Sequence, residues 1–232
     1  MKTLGLIGGM SWESTIPYYK QINQCVKQEL GGLHSAKIVL FSVDFHEIEA
    51  MQRAGDWQAA GQVLAQAARG LHAAGAEAIV LCTNTMHKVA SEIEAAAPIP
   101  LLHIADPCAD AIKAQGLQCI GLLGTRFTME QSFYKDRLVE RHGLQVLTPD
   151  EADRATVHRI IYEELCLGQI KDESRLAYRA IIEKLVAQGA QAIILGCTEI
   201  SLLIQAEHAS VPLFDTTALH AHGAAMWALS SH

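Results

Sequence analysis

The segment GAEAIVLCTNT at 75–85 lies over GAQAIILGCTE at 189–199 without a gap, at an offset of 114 residues. Three shorter pairs keep the same order: LGLIGGM (4–10) over IGLLGTR (120–126), YYK (18–20) over FYK (133–135), and IPLLH (99–103) over VPLFD (211–215). Their offsets of 116, 115 and 112 stay close to the first. Four segments in one order at a near-constant offset make the chain two related halves. What one half can fold into, the other must be able to fold into as well.

Each half reads as alternating strand and helix. Short apolar runs recur at Leu4–Ile7, Ile38–Val43, Ala78–Leu81, Pro100–Ile104, Ile120–Leu123, Leu144–Leu147, Ala192–Leu195 and Pro212–Phe214. Such runs suit strands buried on both faces. Between them, Gln58–His72 and Ser174–Gln188 have helical spacing and stop at Gly75 and Gly189, as helix ends commonly do. Alternation of this kind predicts α/β architecture with parallel sheets and right-handed crossovers. Two similar Rossmann-like domains are expected about a pseudo-twofold axis. A ligand cleft is expected between them, where strand ends and helix N-termini converge.

Composition narrows the function classes. Half of the 232 residues are hydrophobic and 19% are charged, which is globular rather than disordered. A net charge of -7 without a Lys/Arg run argues against nucleic acid as a partner. No apolar run approaches the ~18 residues of a membrane helix, so no membrane partner is expected. The opening MKTLGLIGGMSWE breaks at Gly8-Gly9, unlike a secretory signal, and a cytoplasmic location is expected. The six cysteines form no CxxC pair, so most are expected to be small buried hydrophobes. Among eleven histidines, His220 and His222 stand i, i+2, the wrong spacing for one helix face. There is no HExxH, GxGxxG or GxxxxGKS pattern, and neither a metal nor a nucleotide is expected. His87, one turn beyond Thr83, is expected to pack in a helix or face solvent rather than act as a relay.

The repeat singles out one residue in each half. Cys197 lies over Thr83, while Cys82 lies over Gly196. Successive strand positions point to opposite sides, so Cys82 aims away from the place that Cys197 occupies and is expected to pack. Thr83 and Cys197 each stand where a strand runs into a helix, followed by Asn84-Thr85 and Thr198-Glu199. Free N–H groups of a helix's first turn lower a thiol pKa or hold a carboxylate. Helix capping is the plain alternative for these polar residues.

The opening IGGMSWEST, the strand leading into a Thr-Asn-Thr turn and the GCTE segment together resemble the cofactor-independent aspartate/glutamate racemases. The likeness extends over essentially the whole chain. It implies two α/β domains and no cofactor, neither pyridoxal phosphate nor metal. One thiolate takes the α-proton of an amino acid, and a thiol of the other half returns a proton on the opposite face. It implies Cys197 as the base acting on the L-enantiomer, with Met10, Gln52, Arg53, Asn84, Thr85, Thr125, Lys171, Thr198 and Glu199 around the substrate. The amides of Gly8-Gly9 are expected to approach a carboxylate, and Arg53 or Lys171 to meet the side-chain carboxylate. The resemblance also returns the chain end to the first domain, giving 1–99 plus 213–232 against 100–212. A homodimer is a further possibility it carries.

One departure from the family pattern bears on the chemistry. The family has cysteine immediately before Asn-Thr, and here that position is Thr83. An alcohol is essentially undissociated at neutral pH, so Thr83 is suited to handing over a proton and poorly suited to removing one. Enantiomers have equal free energy in water, so a true racemase must show equal kcat/KM for both. Weak, L-favouring racemisation of aspartate or glutamate is therefore expected, visible in kcat rather than in kcat/KM. Two alternatives remain: an isomerase or racemase acting on another small carboxylate or polar amino acid (homoserine-like, maleate, hydantoin), and an amino-acid-binding protein without turnover.

Overall fold

The computed structural model describes residues 1–230. Eight strands appear where the apolar runs stand: β1 Leu4–Gly8, β2 Ile38–Ser42, β3 Ala78–Leu81, β4 Leu101–Leu102, β5 Cys119–Gly124, β6 Gln145–Leu147, β7 Ala192–Gly196 and β8 Leu213–Asp215. They form two four-stranded parallel sheets with matching order, β2-β1-β3-β4 and β6-β5-β7-β8. The fold is α/β, and its second sheet repeats the topology of the first.

The chain divides into two compact units, Met1–Ile104 with the residues from His220 onward, and Ala105–Leu219. The strands at 100–104 and 212–214 correct the expected partition. β4 pairs with β3 through Ile79↔Leu101 and Val80↔Leu102, so it completes the first sheet rather than opening the second half. β8 pairs with β7 through Ile193↔Leu213, Ile194↔Phe214 and Leu195↔Asp215, so it completes the second sheet rather than the first. The physical reason is the duplication itself. β3 and β7 each have one free edge whose N–H and C=O groups need a ladder, and the repeated segments IPLLH and VPLFD supply it locally. What returns to the first unit is the last helix, within Thr216–Leu229.

That return follows from side-chain size. Ala221, Ala224, Ala225 and Ala228 recur at helical spacing and pack against Leu4, Leu6, Val80 and Cys82 of the first sheet and Tyr18, Ile22 and Val26 of the helix Trp12–Leu30. A face of alanines lets a helix lie close on a sheet. The opposite face of the first sheet packs Ile7, Ile79 and Leu81 against the helix Trp57–Ala73 through Ala60, Leu64, Ala67, Ala68 and Leu71. In the second unit, Leu123, Ile193 and Leu195 pack against Val157, Ile160 and Ile161 and against Tyr178, Ile182 and Leu185 of two helices. The edge strands depart from the buried pattern: Leu40 and Phe41 of β2 are exposed, and no residue of β6 is fully buried. Among the described residues no helix is long and apolar enough to cross a membrane.

Candidate functional site

The two turns singled out by the repeat each sit at the carboxyl end of the third strand of a sheet. In the second unit, Gly124 of β5 is in register with Gly196 of β7, so the next residues, Thr125 and Cys197, leave neighbouring strands side by side. Thr125 is buried and caps the helix Arg126–Glu130, its Oγ1 accepting from the Thr128 N–H at 3.3 Å. Gly196 allows the close passage, since a Cβ there would stand 2.8 Å from the Leu123 carbonyl oxygen.

Cys197 is 8% exposed and Glu199 3%. The Cys197 thiol donates to Glu199 Oε2 at 3.0 Å, and Thr198 Oγ1 donates to the same oxygen at 2.6 Å. Glu199 makes no side-chain cap to the following helix, so capping does not account for it. The helix after it, Ile200–Leu203, has four residues, too few for a strong dipole. The expected lowering of the thiol pKa is therefore reversed. Burial pushes the Cys197 thiol well above its usual range, and the adjacent Glu199 charge adds to the rise. Burial and negative charge both oppose formation of an anion.

The first-unit turn is built of different parts. Thr83 is 8% exposed, and Asn84 and Thr85 are buried. A 3₁₀ turn, Thr85–Val89, follows, without a side-chain cap from Asn84. His87 folds back on the turn: its Nδ1 donates to the Thr83 carbonyl at 2.8 Å, and its Nε2 accepts from the Ile104 N–H at 3.2 Å. These partners fix the neutral Nδ1–H tautomer, because a backbone N–H can only donate. His87 is 2% exposed, so it packs rather than facing solvent. His103 lies against it with ring centroids 4.4 Å apart, and His220 stands 6.1 Å away, where Tyr18 contacts its Nδ1 at 2.9 Å. This buried histidine group escapes a sequence reading because its members lie on three separate elements. The sequence marks its members only singly: His87 beyond Thr83, His220 beside His222, and His103 as the repeat partner of Asp215. Asp215 was likewise missed; burial raises its pKa and its carboxylate caps Thr217 N–H at 2.8 Å.

Met10 and Gln52 come to the same turn. Gln52 is buried and its Nε2 donates to Met86 Sδ at 2.9 Å, and Met10 packs in one cluster with Met86 and Leu81. The Gly9 amide is taken up within the fold. Gly9 N–H donates to Thr15 Oγ1 at 2.9 Å. Gly9 has φ +92°, and a Cβ there would run into the Val43 carbonyl, which only glycine avoids. Cys82 packs on the Val80 side of β3, with its thiol on the Val80 carbonyl at 3.7 Å. The two basic candidates are both held by carboxylates. Arg53 pairs with Glu49 at 2.7 Å with its side chain 70% exposed, and Lys171 lies 3.7 Å from the buried Glu164.

The model of the Asp/Glu/hydantoin racemase family matches residues 7–224. A Yersinia pestis protein classed with the Asp/Glu racemases has a crystal structure that superposes with a TM-score of 0.93 at 68% identity, covering 99% of this chain and 100% of that one. An aspartate racemase homologue from Pyrococcus horikoshii OT3 gives a TM-score of 0.84 at 33% identity over 99% and 100% of the two chains. The broad specificity amino-acid racemase RacX of Bacillus subtilis is 25% identical over 226 residues, 93% of each chain.

Proposed function

This chain belongs to the Asp/Glu/hydantoin racemase family, and we propose that it is a cofactor-independent racemase of acidic amino acids. Cys197 removes the α-proton of L-aspartate or L-glutamate, and Thr83 takes the place of the first cysteine as the group that hands a proton to the carbanion. The observation that carries this reading is the buried Cys197 thiol at the end of β7, hydrogen-bonded to a carboxylate in its own turn. A thiol placed this way has a group ready to receive its proton, and a structural cysteine such as Cys82 has none. The amino-acid racemase activity named for the Bacillus relative supports the same substrate class. Met10, Gln52, Asn84, Thr85, Thr125 and Thr198 shape the substrate's surroundings. Arg53 or Lys171 meets the second carboxylate by leaving Glu49 or Glu164.

The test follows L- and D-amino acids, aspartate and glutamate first, in D₂O by α-proton NMR and chiral chromatography. Loss of the α-proton with growth of the opposite enantiomer is the expected result. Loss without inversion would mean that Cys197 works and Thr83 does not complete the reaction. No exchange with any amino acid would sink the proposal.

A further inference from the structure

Resting on that reading, we propose that His87 is the positioning residue of the first turn: its ring holds Thr83 in place, and so decides whether a proton lost to Cys197 is replaced on the opposite face.

The support begins where the sheet stops. The β3–β4 ladder ends at Val80↔Leu102, and continuing that register sets Cys82 opposite Ile104. Past that point the Thr83 N–H folds back onto the Leu81 carbonyl at 2.9 Å, and the Thr83 carbonyl accepts from His87 Nδ1 at 2.8 Å. The Ile104 N–H donates to the other ring nitrogen at 3.2 Å. The imidazole thus stands as a side-chain rung between two strands that have run beyond their ladder. A neutral imidazole suits the place, because one nitrogen donates and the other accepts within one rigid plane.

The ring is held in its turn. His103 lies against it with centroids 4.4 Å apart, and His220 Nε2 donates to the Leu102 carbonyl at 2.6 Å. The segment Leu102–Ile104 is therefore gripped by one histidine at each end.

The second half is built otherwise. There the Cys197 carbonyl accepts from the backbone N–H of Ile200 at 3.1 Å. The residue that matches His87 is Ser201, whose Oγ donates to the Thr198 carbonyl at 3.2 Å. The carbonyl of Cys197 is held by backbone, while that of Thr83 is held by a side chain. Removing that side chain is expected to disable one half-reaction and spare the other.

The protons balance. Cys197 takes the α-proton, and the C–H electron pair stays on the substrate as a carbanion. Inversion breaks the Thr83 O–H bond, forms the new C–H bond, and leaves an oxygen that regains its proton from water. Retention returns a proton from Cys197 to the face it left.

The experiment compares wild type, His87→Phe, His87→Gln and His87→Asn in D₂O with L-aspartate and L-glutamate. Chiral chromatography reads the initial formation of the D-enantiomer, and mass spectrometry reads deuterated L-substrate. Phe fills the space without either hydrogen bond. The ratio of D-product to deuterated L-substrate should fall by about 10²-fold, the cost of a displacement of about 1 Å at a reacting group. Deuterated L-substrate itself should be kept or raised. Gln carries a donor and an acceptor and should restore the ratio, while Asn, one bond shorter, should restore it only in part. An unfolded fraction scales both products alike, so lost stability cannot imitate the result, and His87→Asn carries the test if His87→Phe does not fold. An unchanged ratio in these two variants overturns the proposal. If wild type deuterates no amino acid, the racemase reading falls, and amide hydrogen exchange still decides the positioning. Residues 82–87 and 103–105 should lose protection in His87→Phe and keep it in His87→Gln, and unchanged protection in His87→Phe overturns the role of the ring.

Discussion

The turns at 83–87 and 197–201 share one ancestry of sequence and one place in their sheets, yet they are held by opposite means. The second-unit turn is acidic: a thiol and a hydroxyl both donate hydrogen bonds to Glu199. The first-unit turn is held by a neutral imidazole, with His87 tying the Thr83 carbonyl to the Ile104 amide. One turn sets a thiol against a carboxylate, while the other ties its backbone with an imidazole and carries an alcohol. Duplicated architecture therefore does not oblige duplicated chemistry, because two side chains per turn set the acid–base character and the backbone tolerates either set.

The widest gap between the turns is the thiol itself. Cys197→Ala should reduce α-deuteration of the L-substrates by about 10³-fold or more, within the usual range for a removed acid–base group; unchanged deuteration would move the chemistry away from this turn. Giving the first turn a thiol should narrow the gap. Thr83→Cys is expected to raise α-deuteration starting from D-aspartate or D-glutamate by about 10²-fold, since a thiol is far more acidic than an alcohol. If the carboxylate matters as much as the sulfur, Thr83→Cys with Thr85→Glu should exceed the single variant by roughly another tenfold, and equality of the two would confine the difference to the sulfur.

Smaller effects concern how the turns are held. His87→Phe leaves the Thr83 carbonyl and the Ile104 amide without their partner and should cost about 1–3 kcal/mol in urea unfolding. Cys82→Ala removes only packing against the alanine face of the last helix, so it should cost about 1 kcal/mol and leave deuteration as in wild type. A loss of activity in that variant would contradict the assignment of Cys82 to the core.

How much of this was legible in the sequence depends on the range of the interaction. Cys82 was readable as core and Cys197 as its counterpart's opposite because strand alternation is local. The pairing of Gln52 with Met86 and the capture of Arg53 by Glu49 were not, since a sequence places a residue near a strand end without aiming its side chain. The thiol pKa shows the same limit. A cysteine before a helix suggests an easily ionised thiol, but the helix is one turn long and the nearest charge is negative.

The sequence by itself determined the eight strands, the duplication and the matching of Thr83 with Cys197, because periodicity and repeat offset record the backbone pattern that each segment can sustain. It even held the correct place of β8, in the overlay of VPLFD on IPLLH, which proved a better guide than the family resemblance. Tertiary structure alone decided that the last helix covers the first sheet, that three distant histidines gather behind Thr83, and that Glu199 turns back to Cys197. The first two outcomes depend on packing and hydrogen bonds between residues far apart in the chain, whose energies exist only once it has closed, and the third depends on the side-chain rotamers that burial of the turn selects.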